Sequence, residues 1–242
     1  MITLYNDDCL NVLKQMQDNS VDLVVMDPPY DVHVTNKLKD GETTEAFFGN
    51  MQSIVDANIH QGYDIIGINN ELVRVMKNIN IYIWCNKAQI MDYFKYYVEN
   101  LKCRFEILTW HKSNAIPSFA NKYLSDTEYL LYFKSSGAYC YPQNYDDART
   151  FYIAPINQAD KKIYEHPTIK PLDFTERIIK NSSNENDLVL DPFMGSGTTG
   201  VACKKLNRQF IGVEINKEYY DIAQLRINNQ EIKKVYKQTK LF

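Results

Sequence analysis

Val21-Asp22-Leu23-Val24-Val25-Met26-Asp27-Pro28-Pro29-Tyr30 decides how the rest of this 242-residue chain is read. Positions 21–26 are mostly apolar and rich in valine, the pattern of a buried strand. A carboxylate, two rigid prolines and an aromatic ring follow directly at its end. In open α/β sheets, ligands bind at that end of the strands. A flat, amine-bearing substrate can stack on the Tyr30 ring and donate a hydrogen bond to Asp27. Asp27, Pro28, Pro29 and Tyr30 are therefore the candidate reaction centre.

Working outward, strand-like segments recur at 81–85, 105–110, 129–133, 188–190 and 210–213. Helical patterns fall between most of them, at 10–16, 71–77, 87–100, 172–181, 198–206 and 217–228. Strands alternating with helices predict a mainly parallel sheet covered on both faces. The pair 105–110 and 129–133 is the exception and suits an antiparallel pairing. Residues 31–62 and 135–165 read as loop-like insertions within a single domain spanning 1–242.

Composition narrows the function. At 45% hydrophobic residues the chain can bury a sizeable core. No apolar run approaches the ~18 residues of a membrane helix, and the N-terminus lacks the pattern of a signal peptide. No membrane partner is expected. Five scattered cysteines, without a C-x-x-C, argue against a disulfide framework and a zinc site. The expected compartment is a reducing cytoplasm. A net charge of −3 gives no global signature of nucleic-acid binding. A nucleic-acid partner would need a local basic patch, for which Lys112, Lys122, Lys134, Lys161 and Lys162 are candidates.

The second informative stretch is Asp191-Pro192-Phe193-Met194-Gly195-Ser196-Gly197-Thr198-Thr199-Gly200. It follows a short strand and opens a helix, and its glycines satisfy G-x-G-x-x-G. Glu214 ends the next strand, nineteen residues after Gly195. Glycines let a backbone approach a ligand closely, and an acid at this distance accepts from ribose hydroxyls. A nucleoside triphosphate is disfavoured, because Val201-Ala202 stand where a P-loop needs Lys and then Ser or Thr. A dinucleotide and S-adenosylmethionine both fit the glycines. However, only 42 residues follow Gly200, too few for the rest of a dinucleotide domain unless the chain is permuted.

Taken together with His166-Pro167-Thr168-x-Lys170-Pro171, the tetrapeptide and the glycine loop resemble the DNA amino-methyltransferases, which modify adenine N6 or cytosine N4. The order, tetrapeptide before cofactor loop, resembles their β class. Asn6-Asp7-Asp8-Cys9-Leu10, Asn80–Cys85 and 107–114 resemble further segments of that family, so the likeness spans nearly the whole chain. It implies a permuted Rossmann-like α/β methyltransferase fold, with a mainly parallel seven-stranded sheet and one antiparallel hairpin. The cofactor implied is S-adenosyl-L-methionine, with Asp8 at the adenine amino group and Glu214 at the ribose. Phe193, Gly195, Gly197 and Thr198 would surround the methionyl part, flanked by Cys9, Asp27, Asp191 and Ser196. Thr168, Lys170 and Pro171 would close the amino-acid end.

The resemblance also implies a mechanism. Asp27 should be ionised at neutral pH, since an unperturbed Asp has a pKa of about 3.9. It can accept one N–H of an exocyclic amine, and a proline carbonyl, Pro28's first, can accept the other. The prolines hold φ near about −65° and pre-organise these acceptors. The base must be flipped out of the duplex, with Tyr30 as its stacking platform. Trp110, Lys112 and Asn114 are candidates for the base or phosphate path. Aspartate in the first position favours adenine N6. Cytosine N4 is the alternative, and RNA or a protein amide is a more distant one. Double-stranded DNA is the expected partner. A homodimer and a separate restriction endonuclease are compatible with the family, and a prokaryotic or phage source is expected.

Overall fold

The tetrapeptide and the glycine loop end neighbouring strands of one sheet. The computed structural model describes residues 1–30, 63–115, 123–157 and 169–229. Among these residues eight strands form a single sheet. They are β1 (Ile2–Tyr5), β2 (Leu23–Met26), β3 (Asn80–Cys85), β4 (Arg104–Lys112), β5 (Thr127–Lys134), β6 (Phe151–Ala154), β7 (Leu188–Asp191) and β8 (Gln209–Val213). Their spatial order is β1-β8-β7-β2-β3-β5-β4-β6. β5 runs antiparallel to both β3 and β4, and the other pairings are parallel.

This order creates a crevice where the site is needed. β8 and β1 extend the sheet to one side of β7, and β3 extends it to the other side of β2. The connections leaving β7 and β2 therefore diverge, which is the topological switch point of an open α/β sheet. Leu23 pairs with Val189 and Val24 with Leu190, so Asp27 and Asp191 emerge at the same edge. β7 and β8, which flank the glycine loop, are encoded last, as a permuted fold requires, and β1 beside them is encoded first.

The described helices are α1 (Cys9–Gln15), α2 (Ile65–Val75), α3 (Ile90–Tyr93), α4 (Leu172–Ser182), α5 (Thr198–Lys205) and α6 (Lys217–Ile227). α3 passes directly into a π-helix, Phe94–Asn100. Every residue of β2 and β3 is buried, as expected for strands covered on both faces. Successive side chains alternate between two cores. Val24, Met26, Ile81, Ile83, Leu131 and Phe133 share one with Leu13, Leu72 and Tyr97. Leu23, Val25, Tyr82, Trp84, Leu130 and Tyr132 share the other with Phe174, Ala202 and Ile227. No helix among the described residues is long and apolar enough to cross a membrane.

The sheet has one strand more than the seven expected. β6 falls inside the stretch 135–165 that reads as loop, and it lies parallel to β4 through Thr109↔Phe151 and Trp110↔Tyr152. Its four residues alternate between exposed and half-buried, so it carries no apolar run to mark it. α2 starts earlier than the pattern at 71–77 suggests, because Asp64 caps it by accepting from the Gly67 N–H at 3.0 Å. The helix expected over 87–100 is divided between α3 and the π-helix, whose register buries Tyr93 and Tyr97 together.

Two glycines of the loop are demanded by geometry. Gly197 has φ +80°, a left-handed conformation that disfavours a side chain. Gly200 lies against α6, where an added Cβ would come within 2.4 Å of Ile227 Cδ1 and 2.8 Å of Phe210 Cε1. Both let α5 start tightly after β7 and pack closely on α6.

Candidate active site

A cavity of about 490 Å³ opens at the crevice, within the usual range of small-molecule pockets, roughly 300–1,000 Å³. Its wall brings together Asp8, Cys9, the whole tetrapeptide, Lys170, Asp191, Phe193, Gly195, Ser196, Thr198 and Glu214. These residues come from opposite ends of the chain. Gly197 shapes the loop without lining the cavity. Pro171 stands at the N-cap of α4, where its carbonyl accepts from the Thr175 N–H at 3.1 Å and hydroxyl at 2.9 Å. Thr168 lies outside the described residues, as do Lys122, Lys161, Lys162 and the stretch 31–62.

The glycine-loop end is built on carboxylates that hold backbone. Glu214 accepts from the Gly195 N–H at 2.9 Å with one oxygen and from the Asn216 N–H at 2.8 Å with the other. Burial raises its pKa, and these backbone donors oppose the rise. Asp8 caps α1 by accepting from the Leu10 N–H at 2.8 Å. Asp191 accepts from the Phe193 N–H at 3.0 Å and the Thr199 hydroxyl at 2.6 Å. Arg226 of α6, buried behind the loop, donates to the Ser196 carbonyl, the Ser196 hydroxyl and the Thr198 hydroxyl at 2.9–3.2 Å. Phe193 meets the Tyr63 ring edge-on at 5.3 Å between centroids. The Cys9 thiol is pushed up to about 12 by burial and by Asp8, so it is protonated and unsuited to nucleophilic work.

Asp191 makes a testable contribution to pH dependence. Burial, only partly offset by Thr199 and Phe193, pushes its carboxyl up to about 7 from an ordinary 3.8. The folded state then binds this proton more tightly than the unfolded chain. Its contribution to stability falls as pH rises through that interval. Asp191→Asn, which cannot ionise, should gain stability relative to the parent between about pH 4 and 7. Paired urea-unfolding curves at several pH values measure this, and a pH-independent difference would contradict it.

At the tetrapeptide end the charges are tightly linked. Lys170 Nζ lies 2.9 Å from Asp27 Oδ2 and donates to the Tyr30 hydroxyl at 3.2 Å. The Tyr30 hydroxyl in turn donates to Asp27 Oδ1 at 2.8 Å. The ammonium sits over the Tyr30 and Trp84 rings, 5.4 and 5.1 Å from their centroids. Burial raises the Asp27 pKa, and the Lys170 charge is the main force opposing it. Gln89 Nε2 donates to the Pro29 carbonyl at 3.3 Å and steadies the proline turn.

Trp110, Lys112 and Asn114 do not line the cavity. Trp110 is 2% exposed, packed in the core, and its indole N–H donates to the Ala154 carbonyl at 3.0 Å. Lys112 pairs with Glu128 at 2.6 Å. Asn114 bridges to Ile156, accepting from its N–H at 2.6 Å and donating to its carbonyl at 3.3 Å. All three hold β4 to its neighbours. Conversely, Tyr63 lines the cavity and Gln89 supports its turn without any motif in the sequence to mark them, and Trp84, from the segment expected as a core strand, lines the cavity too. Glu128 and Arg226 stand one layer behind it.

The donor set fits an adenosyl sulfonium with an amino-acid tail. Carboxylates of Asp8 and Glu214 are placed for amino and hydroxyl donors. Acidic groups also suit a cation, and the glycine turn leaves room for a ligand against its backbone.

Comparisons with known proteins agree with this geometry. The profile of a family described as DNA methylase, covering N6 and N4 methyltransferases, matches residues 21–225. The type II methyltransferase M.HpaI of Haemophilus parainfluenzae is 30% identical over 92% of this chain and 73% of its own length. The type II methyltransferase M2.MboI of Moraxella bovis is 29% identical over 92% of this chain and 86% of its own. Among solved structures, the M1.HpyAVI–SAM complex superposes with a TM-score of 0.67 at 28% identity, covering 93% of this chain and all of the other. The PvuII cytosine-N4-specific DNA methyltransferase gives a TM-score of 0.72 at 15% identity, over 100% of this chain and 88% of that one, a likeness of fold.

Proposed function

The chain belongs to the DNA methylase family, and from that premise we propose that it methylates adenine at N6 in duplex DNA. Membership makes it an S-adenosylmethionine-dependent, site-specific DNA methyltransferase. The choice of adenine, and the residue roles that follow, are our reading. The meeting of Asp27-Pro28-Pro29-Tyr30 and the Asp191–Gly200 loop in one cavity supports the residue roles, and an aspartate rather than a serine at position 27 supports adenine.

S-adenosylmethionine supplies an electrophilic methyl group. The residues of this chain do the rest. An exocyclic amine is a poor nucleophile while its lone pair is delocalised into the base. Asp27 accepts one of its N–H groups. Because the Pro29 carbonyl already accepts from Gln89, the Pro28 carbonyl is the natural second acceptor. Two acceptors at fixed angles favour a tetrahedral nitrogen with an exposed lone pair. After transfer, the proton leaving nitrogen passes to Asp27. Tyr30 offers its ring face to the flipped base, for which stacking is worth roughly 1–3 kcal/mol. Glu214 and Asp8 hold the nucleoside part of the cofactor, and Phe193, Gly195, Ser196, Thr198 and Asp191 line the remainder.

On this reading the chain acts as one methyltransferase domain whose segments 31–62 and 135–165 contact the recognition sequence. Its expected partner is double-stranded DNA, in a bacterial or phage-infected cytoplasm; a homodimer is compatible with this reading, as are both a solitary role and one beside a separately encoded restriction endonuclease. The test is incubation with labelled S-adenosylmethionine and mixed-sequence duplex DNA, followed by nucleoside digestion and chromatography. N6-methyladenine is the expected product. N4-methylcytosine without N6-methyladenine would overturn the choice of base, and label on RNA or protein alone would overturn the substrate.

A further inference from the structure

Behind the reaction centre lies a carboxylate with no part in the roles above. Glu128 is carried by β5, two strands from the tetrapeptide. Its Oε1 lies 2.6 Å from Lys112 Nζ, and its Oε2 lies 3.1 Å from Lys170 Nζ. Lys170 is in turn 2.9 Å from Asp27, and its side chain is only 7% exposed. Lys112, Glu128, Lys170 and Asp27 thus form a row of alternating charge running inward from β4 to the cavity wall.

Buried ion pairs are poor sources of stability, and apolar replacements often pack as well. Such a row calls for another reason. Without Glu128, the ammonium would keep Asp27 as its one carboxylate partner, beside the Tyr30 hydroxyl of the same tetrapeptide. With Glu128 on its other side, anchored by Lys112, it is held from both sides. A carboxylate has about four acceptor sites. Lys170 takes one on Oδ2 and Tyr30 one on Oδ1, which leaves acceptor sites for the target N–H. We propose that Glu128 is a positioning residue of methyl transfer, holding the Lys170 ammonium against Asp27 so that Asp27 stays charged and oriented. The inference deepens the function proposed above and rests on it.

Electrostatics supports this assignment. Burial pulls the Lys170 pKa down, but Asp27 and Glu128 together hold it above its ordinary value. Burial likewise raises Glu128, yet Lys170 and Lys112 outweigh it and hold that carboxyl at about 2. The titratable groups around Lys170 are Asp27 and Tyr30 after β2, Cys85 on β3 and Glu128 on β5, with Lys112 on β4 beyond Glu128. Neutralising Glu128 leaves burial opposed by Asp27 alone, so Lys170 loses its proton at lower pH.

Glu128→Gln tests the proposal. The turnover number should fall by up to ~100-fold, the cost of displacing reacting groups by about 1 Å. The alkaline limb of its pH profile should move to lower pH, and the Kd for S-adenosylmethionine by calorimetry should hold. Glu128→Asp should recover part of the rate. In the free protein, a nitrogen-15 NMR titration of the Lys170 amine should show the lowered pKa without reference to activity. A variant with reduced melting temperature but unchanged turnover, limb and titration would overturn the proposal, leaving Glu128 a structural ion pair. If Glu128→Gln does not fold, Lys112→Met removes the outer anchor away from the cavity. It should also lower turnover at unchanged cofactor affinity, and unchanged turnover would again overturn the proposal. A wild-type protein that transfers no methyl to DNA would defeat the functional reading and this inference together. An active wild type with an unaffected Glu128→Gln would defeat the inference alone.

Discussion

Asp27→Ala is expected to lower the single-turnover rate of methyl transfer by ~10²–10⁴-fold, the range for a positioned group that handles a proton. Cofactor binding should survive, because Glu214, Asp8 and the glycine loop are untouched. The substitution removes the acceptor of the amine N–H. It also leaves Lys170 facing Glu128 alone and the Tyr30 hydroxyl without its 2.8 Å acceptor. Quench-flow with labelled cofactor measures the first effect, and equilibrium dialysis the second. The pH profile supplies a further check. Burial raises Asp27 from its ordinary value, with Lys170 opposing. A carboxyl that takes up the proton leaving the amine must start ionised, so turnover is lost as pH falls through this raised pKa. The acidic limb of the wild type should therefore lie above the ordinary carboxylate value of about 3.9. Unchanged turnover in the variant would end the assignment.

Parts of this site could be read in the sequence because their chemistry is contiguous. Four residues in a row after an apolar strand, or three glycines at fixed offsets before a helix, carry their meaning locally. Lys170 was readable as part of a motif, but not as a partner of Tyr30, from which it is 140 residues distant. Glu128 sits near the start of Thr127–Lys134, a polar position just before the apolar and aromatic run Tyr129–Phe133. Only the antiparallel pairing of β5 with β3 and β4 brings it between Lys112 and Lys170. Trp110 shows the opposite case. An aromatic residue at a strand end suggests a base-stacking ring, yet the parallel addition of β6 covers it and supplies the carbonyl for its N–H. β1 and β6 have four residues each and lie at the sheet edges. Edge strands need little apolar surface, so they leave a faint periodic signal.

Glu214→Ala is expected to act at the opposite end of the cavity and in the opposite kinetic manner. Its two oxygens hold the Gly195 and Asn216 N–H groups at 2.9 and 2.8 Å. Remaining acceptor sites serve the ribose hydroxyls. Truncation removes the ribose acceptor and also frees the turn that shapes the glycine loop. A charge-assisted hydrogen bond contributes about 1.5–3 kcal/mol, so affinity for S-adenosylmethionine should fall ~10- to 100-fold. Glu214→Gln should lie between, since its amide offers one acceptor oxygen where two backbone donors converge. At saturating cofactor both variants should turn over near the wild-type rate, because Asp27, Lys170 and the proline carbonyls are unchanged. Calorimetric Kd values set beside kcat separate the two ends of the site. A Glu214 variant with intact affinity and depressed kcat would mean that this carboxylate serves the transferring methyl rather than the nucleoside. Asp27 would then no longer be the only acid required at the reacting atoms.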